Sequence, residues 1–348
     1  MIASFRCVLA LTIICCVFNK AILFAQSPAV VNPVVRSPLR ETTSLDGQWE
    51  FATDANDVGE KERWFDPGHA MPGSQTIRLP GRRETQALTW YKKSFDLRDG
   101  WINKKLWLKI GGVSSPAWIW VNGRAVGHLD SDSGSCKFDI GQGLPMEVIT
   151  VAIKARGGID RSVEIDATGP VLIDNAFVES KLDNGKAIVH VKVQNPGQDN
   201  QIDVSIYTAE EKLAGHATAK ATANSAIEIT LDPLRPWSPE EPNLYQAEIV
   251  LRTGDRKIDG WTERFGLKKT EFRDGQFYLN NAPYVLHKLE DDTICSPVSR
   301  EEYSRQLRMA KTKGFNYVHT PCALPEFYEA ADEIGMIVQP DVRKDLLK

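Results

Sequence analysis

The sequence predicts a multidomain, mainly β chain: a jelly-roll sandwich, then an immunoglobulin-like sandwich, then the opening of a (β/α)8 barrel. Three observations carry this expectation. From Leu45 to about Ala167, short apolar runs are broken repeatedly by Gly, Pro, Asn and Asp, the texture of many short strands with almost no helical periodicity. The texture resumes after Gly169-Pro170 for about 95 residues, the size and rhythm of an immunoglobulin-like sandwich. From Gly266 onward strand and helix patterns alternate, which means a parallel sheet.

At about 100 to 200 residues per domain, the 348 residues allow two or three domains. The division expected is 1–25 as a signal peptide, 26–40 as an extended linker, 41–168 as the first sandwich, 169–265 as the second, and 266–348 as the start of a barrel cut off after about three strands. Arg6 is a minimal basic n-region, Cys7 to Phe18 is apolar, and Leu23-Phe24-Ala25 precedes Gln26, a pattern of cleavable export. The competing reading is a membrane anchor, but Asn19 and Lys20 interrupt the run before the ~20 residues a span needs. A secreted or periplasmic chain with no stable membrane span after cleavage is expected. Ile14 before Cys15 disfavours a lipoprotein signal.

Of six cysteines, Cys7, Cys15 and Cys16 leave with the signal, and Cys136, Cys295 and Cys322 remain. That allows at most one bridge, and no paired Cys or His spacing suggests zinc. Losing Arg6 and Lys20 moves the formal charge from -4 to -6. A mildly acidic, unclustered surface argues against nucleic acid as a partner. A hydrophobic share of 42% and a charged share of 25% exclude wholesale disorder.

The elements follow in order. Pro28, Pro33 and Pro38 suit an extended tether. Strands are expected at Trp49-Glu50-Phe51, Tyr91 to Leu97, Leu106 to Ile110, Ala117 to Val121 and Val148 to Ile153, with Asn122-Gly123 as a type I′ hairpin turn. The second set is Ala176 to Leu182, Ala187 to Gln194, Ile202 to Tyr207, Ile227 to Leu231 and Tyr245 to Arg252. Turns at Asp274-Gly275 and Asn280-Asn281 precede a strand from Tyr284 to His287. Ser299 and Glu302 form a capping box for a helix with Tyr303, Leu307 and Ala310 as its apolar stripe and Gly314 at its end. Phe315 to Thr320 is the next strand. Pro325 starts a second helix lined by Phe327, Ala331 and Ile334 and stopped by Gly335, and Met336 to Gln339 is the third strand.

Within this frame several strings carry a resemblance. Leu45-Asp46-Gly47-Gln48-Trp49-Glu50-Phe51, Trp90-Tyr91-Lys92-Lys93-Ser94-Phe95 and Trp118 to Gly127 resemble the sugar-binding domain of glycoside hydrolase family 2, the β-galactosidase, β-glucuronidase and β-mannosidase family. Trp237 to Tyr245 is similar to the end of its immunoglobulin-like domain. Phe265-Gly266-Leu267, Phe277 to Asn280 and Gly314 to Val318 are similar to its barrel entry and second barrel strand. The resemblance implies a retaining hydrolase of β-linked glycosides that uses no cofactor and no metal, with two glutamates at the ends of barrel strands four and seven. On this reading both glutamates lie beyond Lys348, no residue here is assigned as catalytic, and the 348-residue chain is expected to be catalytically incompetent. A second chain completing the barrel is the partner this reading allows besides the carbohydrate. The rival reading is a secreted, non-catalytic carbohydrate-binding or adhesion module.

The sequence departs from the family pattern where substrate contacts are expected. Lys288-Leu289-Glu290-Asp291-Asp292 stands in place of a glycine and an Asn-Arg-His-Glu segment, His319 in place of an arginine, and Pro321-Cys322-Ala323 in place of His-Tyr-Pro. Glu290, Asp291 and Asp292 form a carboxylate cluster at a strand's C-terminal end, the face where barrels place their sites, and with His319 they are the candidate sugar contacts. Adjacent loop acids are also commonly just solvated, and His319 is also readable as a core histidine. Trp49, Trp90, Trp118, Trp120 and Trp237 are read as core. Asp130, Asp132 and Asp139 are read as surface acids, since their spacing does not suit a calcium loop.

Overall fold

In the computed structural model, the described residues are 39–81, 87–113, 116–129, 135–142, 148–289, 300–320 and 325–340. They are mainly β, with two α-helices and several separate sheets. The first ten strands are β1 (Glu41–Ser44), β2 (Gly47–Thr53), β3 (Gln75–Leu79), β4 (Leu88–Asp96), β5 (Lys105–Ile110), β6 (Ala117–Val121), β7 (Arg124–Leu129), β8 (Cys136–Gln142), β9 (Val148–Arg156) and β10 (Val163–Thr168). They form a four-stranded sheet, β1-β10-β5-β8, and a six-stranded sheet, β3-β2-β4-β9-β6-β7. One core joins the two sheets: Leu106, Leu108 and Ile165 face Trp49, Tyr91, Ile119 and Ile153. Asn122 and Gly123 both have positive φ (49° and 80°), as the β6–β7 hairpin requires.

The outer face of the six-stranded sheet is also partly covered. Trp64 and Met71, from the connection between β2 and β3, pack on Trp90, Trp120, Ala152 and Ala52. This explains why the first five residues of β4 are all buried rather than alternating: Tyr91 enters the inner core while Trp90 and Lys92 lie under the connection. The Lys92 Nζ donates to the carbonyl of Trp64 at 3.0 Å and to that of His69. Four of the five tryptophans are core as expected. Trp118 is not: it is 43% exposed. It shares the face of Trp120 but stands beyond the reach of the covering connection, with Lys154 Nζ 5.8 Å from its ring. Asp139 is an exposed acid paired with Lys105 at 2.8 Å, while Asp130 and Asp132 lie outside the described residues.

The next seven strands, β11 (Leu172–Lys181), β12 (Lys186–Gln194), β13 (Asn200–Thr208), β14 (Leu213–Lys220), β15 (Asn224–Thr230), β16 (Tyr245–Thr253) and β17 (Arg256–Phe265), make two further antiparallel sheets, β11-β12-β15 and β14-β13-β16-β17. Strict alternation in β12 and β13 sends Ala187, Val189, Val191, Ile202, Val204 and Ile206 into a shared core with Tyr245, Ile249 and Trp261.

Past Phe265 a small hairpin sheet, β18 (Thr270–Arg273), β19 (Gln276–Leu279) and β20 (Ala282–Pro283), leads to the parallel sheet β21 (Lys288–Leu289), β22 (Tyr317–Thr320) and β23 (Ile337–Pro340) with α1 (Arg300–Thr312) and α2 (Pro325–Ile334) between its strands. Tyr303, Leu307, Phe327, Ala331, Ile334 and Val318 form its core. Both helix stripes are buried as the spacing predicts; Ser299, the expected cap of α1, lies outside the described residues. Gly314 and Gly335 end the helices with φ of 90° and 80°. The expected strand at Tyr284 to His287 is instead an extended lead-in, and the ladder begins at Lys288. The reason is Asn316. Its side chain accepts from His287 N–H at 2.8 Å and donates to Val285 O at 2.9 Å, taking the groups a ladder would use.

Among the described residues no helix is long and apolar enough to cross a membrane.

Candidate functional site

The site predicted from sequence lies at the C-terminal ends of the parallel strands. Their register is even: Leu289 pairs with Val318, and His319 and Thr320 pair with Gln339 and Pro340. The strand ends therefore share one edge, the usual place for a site in an α/β sheet. Period-two alternation separates the side chains. Val318 and Thr320 are buried on the helix side. His319 is exposed on the opposite face, which excludes the core-histidine reading. Tyr317 shares that face, and its hydroxyl donates to Gln339 Oε1. Glu290, Asp291 and Asp292 lie outside the described residues. So do Cys295 and Cys322, while Cys136 is a buried thiol at the start of β8.

Sequence reasoning missed three residues here. Tyr317 and Gln339 flank His319, and the signal for them was the same period of two that placed His319. Asn316 sets the strand register from below: besides the bonds above, its N–H donates to His287 O at 3.1 Å and its carbonyl accepts from Ile337 N–H at 2.9 Å. Tyr284 OH donates to Glu240 Oε1 at 2.7 Å; burial, and then this carboxylate, push the phenol up.

The parallel unit is seated on the second pair of sheets by a charged and polar seam. Trp237 Nε1 donates to Asp332 O at 2.8 Å, Arg264 Nη2 to Glu329 O at 3.1 Å, and Lys311 to the carbonyls of Pro239 and Ile334. Arg264 of β17 also pairs with Glu333 of α2, a carboxylate that Arg300 of α1 holds from within the unit at 2.6 Å. Within the seam burial pushes Glu263 up to about 7, against a 3.2 Å hydrogen bond from Trp261 Nε1 and the pull of Arg264, with Asp332 adding to the rise. Burial raises Asp332 as well. In the folded chain Glu263 therefore keeps its proton up to about pH 7, whereas unfolded it releases it near its ordinary 4.5. Stability is expected to fall as pH rises through that window, by on the order of 2 kcal/mol for this half-buried group. Glu263→Gln should remove that part of the slope and be the more stable form at pH 8; urea titrations at pH 4.5, 6 and 8 read it, and equal slopes for both proteins would refute it.

The sequence profile of Glycosyl hydrolases family 2 matches residues 171–268, which coincide with β11 to β17 and their core. A putative β-glucuronidase of Formosa agariphila is 24% identical over 327 residues, covering 85% of this chain and 30% of its own length. A β-galactosidase of Leuconostoc mesenteroides is 25% identical over 363 residues, covering 84% of this chain and 34% of its own. Residues 171–268 are thereby assigned to glycosyl hydrolase family 2. Among solved structures, the β-glucuronidase from Ruminococcus gnavus in complex with D-glucuronic acid shares its fold with a TM-score of 0.72 at 22% identity, over 91% of this chain and 62% of that one. The chain spans about a third of the length of these curated relatives.

Proposed function

We propose that this chain supplies the scaffold and part of the sugar-facing edge of a hydrolase of β-linked glycosides. Its first pair of sheets is read as a jelly-roll sugar-binding-like domain over 41–168, its second as an immunoglobulin-like sandwich over 169–265, and 266–348 as the first three strands of a (β/α)8 barrel. Residues 1–25 are read as an export signal, which makes the protein secreted or periplasmic. The observation that carries the reading is the even parallel register that gathers the ends of β21, β22 and β23 at one edge with His319 exposed on the face away from the helices. His319 and the Glu290-Asp291-Asp292 segment that follows Leu289 are proposed to hydrogen-bond sugar hydroxyls. No residue is assigned as the acid or nucleophile of a retaining pair, so binding without turnover is proposed for the 348 residues alone. The remainder of the barrel, whether continuous with these residues or on a second chain, would supply the pair.

The test is a panel of nitrophenyl β-glucuronides and β-galactosides with the purified 348-residue chain. Saturable binding with no nitrophenol released is expected, weakened several-fold by His319→Ala. Release by homogeneous material would overturn the proposal of incompetence, and absence of binding would overturn the assigned edge. The non-catalytic binding module is favoured by one observation, the 43% exposure of Trp118 beside Lys154. Binding lost with Trp118→Ala and kept with His319→Ala would select it.

A further inference from the structure

A cleft of about 370 Å³ opens where the first pair of sheets, β17 and the start of α2 meet, walled by Lys109, Lys137, Arg161, Trp261 and Glu326 among others. Its volume is in the range of small-molecule sites, ~300 to 1,000 Å³. The cations of its wall are almost all compensated. Arg40 is paired with Asp259 at 2.7 Å, Arg161 with Glu326, and Lys109 with Glu164 at 3.1 Å and Asp166 at 3.6 Å.

Lys137 is the exception. It is half-buried, and among the described residues its ammonium has no carboxylate within ion-pair distance, although Asp166, Asp174 and Asp259 act on it from further off; the ring of Trp107 lies 3.9 Å from Nζ to the centroid. It also stands directly across the β5–β8 ladder from Lys109, and like charges so placed repel. Burial, and then Arg40, push Lys137 down to about 8, more than Asp166, Asp174 and Asp259 pull it back. Glu326 also lines the cleft; its Oε2 is buried and has no hydrogen-bond partner among the described residues, its other oxygen being held by Arg161. A buried acceptor without a hydrogen bond and a half-buried cation without a direct ion pair, in one cleft, suit a ligand that brings an anion and a hydroxyl donor.

We propose that this cleft binds a small hydroxy acid, its carboxylate on the Lys137 ammonium and a hydroxyl donating to Glu326 Oε2. The site is separate from the strand edge of the preceding proposal and does not rest on it. D-Gluconate is the probe, titrated calorimetrically into the full chain at pH 7, where one site with a dissociation constant on the order of 1 mM is expected for a ligand of this size. Lys137→Met is expected to weaken binding at least ~10-fold, Lys137→Arg to retain it, and acetate, which has no hydroxyl, to bind several-fold more weakly. Raising the pH to 10 should weaken gluconate for the natural chain and leave Lys137→Arg unaffected. No saturation at about 50 mM gluconate would overturn the proposal, as would equal affinity in Lys137→Met or an acetate affinity equal to that of gluconate. Should Lys137→Met fail to fold, the pH comparison between the natural chain and Lys137→Arg decides the matter, and equal pH dependence in the two overturns it.

Discussion

Arg40→Ala is expected to destabilise the chain by about 3 to 5 kcal/mol, the cost of stranding a buried carboxylate. Arg40 precedes β1 in the first pair of sheets, and Asp259 is on β17 in the second. Their side chains are 4% and 3% exposed. The contact is bidentate, with Nε to Oδ1 at 2.9 Å and Nη2 to Oδ2 at 2.7 Å. Nη2 also donates to Ile173 O, and Asp259 Oδ2 accepts from Ile173 N–H at 2.7 Å. The guanidinium further covers the Trp261 ring, 5.5 Å from its centroid. Removing Arg40 therefore leaves a carboxylate with one backbone donor and an uncovered aromatic face. Arg40→Met with Asp259→Asn keeps an acceptor for Ile173 N–H and strands no charge, so the double variant should lose less than the two single variants added, by about 1 to 3 kcal/mol. In a chain of several cores the loss is read on whichever urea transition the variant moves. A cost below about 1 kcal/mol for Arg40→Ala would show that the latch is not a stabilising contact.

That latch was invisible in the sequence for a plain reason: its partners are 219 residues apart, and nothing local distinguishes Arg40 from any basic residue after a proline-rich tether. Features that depend on the local backbone were legible. Asn122-Gly123 and Asp274-Gly275 read as turns because those positions need positive φ, which both pairs adopt. The stripes Tyr303, Leu307, Ala310 and Phe327, Ala331, Ile334 read as helix faces because period 3.6 is set by one element alone.

What failed depended on a second element. Trp118 and Trp120 have the same pattern in sequence, and only the reach of the connection bearing Trp64 and Met71 decides that one is buried and the other is not. The start of β21 is set by the side chain of Asn316, whose effect on Val285 and His287 no strand propensity encodes. At the candidate site, His319 was legible as a strand-end residue, but its exposed face became known only from the packing of Val318 against the helices. Lys137 drew no reading from the sequence, and β8 itself was not expected there. The lysine lines a cleft with Trp261 of β17 and Glu326 of α2, both distant in the chain.

Trp237→Ala is expected to cost about 3 to 5 kcal/mol and to loosen the parallel unit from the sheets that carry it. Trp237 is 1% exposed. Its backbone N–H donates to Leu267 O at 2.9 Å and its carbonyl accepts from Asn280 Nδ2 at 3.0 Å, so the loop is fixed to the entry of the hairpin sheet. A Cβ placed on Gly266 would lie 2.8 Å from Trp237 Cβ, which is why glycine is needed there. Lys268 Nζ sits over the indole at 4.4 Å. The indole N–H reaches Asp332 O in the last turn of α2, one of the carbonyls a helix leaves without an internal partner. Lys311 satisfies the carbonyl of Ile334 in the same way. Trp237 thus both fills the seam and caps α2. Trp237→Phe keeps most of the apolar body and loses only the donor, so about 1 kcal/mol is expected for it. Hydrogen exchange separates the two effects: in Trp237→Ala the amides of α2 should lose protection while those of β12 and β13, central strands of the two sheets around the second core, keep theirs. Unchanged α2 exchange in Trp237→Ala, with a stability loss below about 1 kcal/mol, would place the attachment of the parallel unit in the Arg264–Glu333 and Arg161–Glu326 pairs instead.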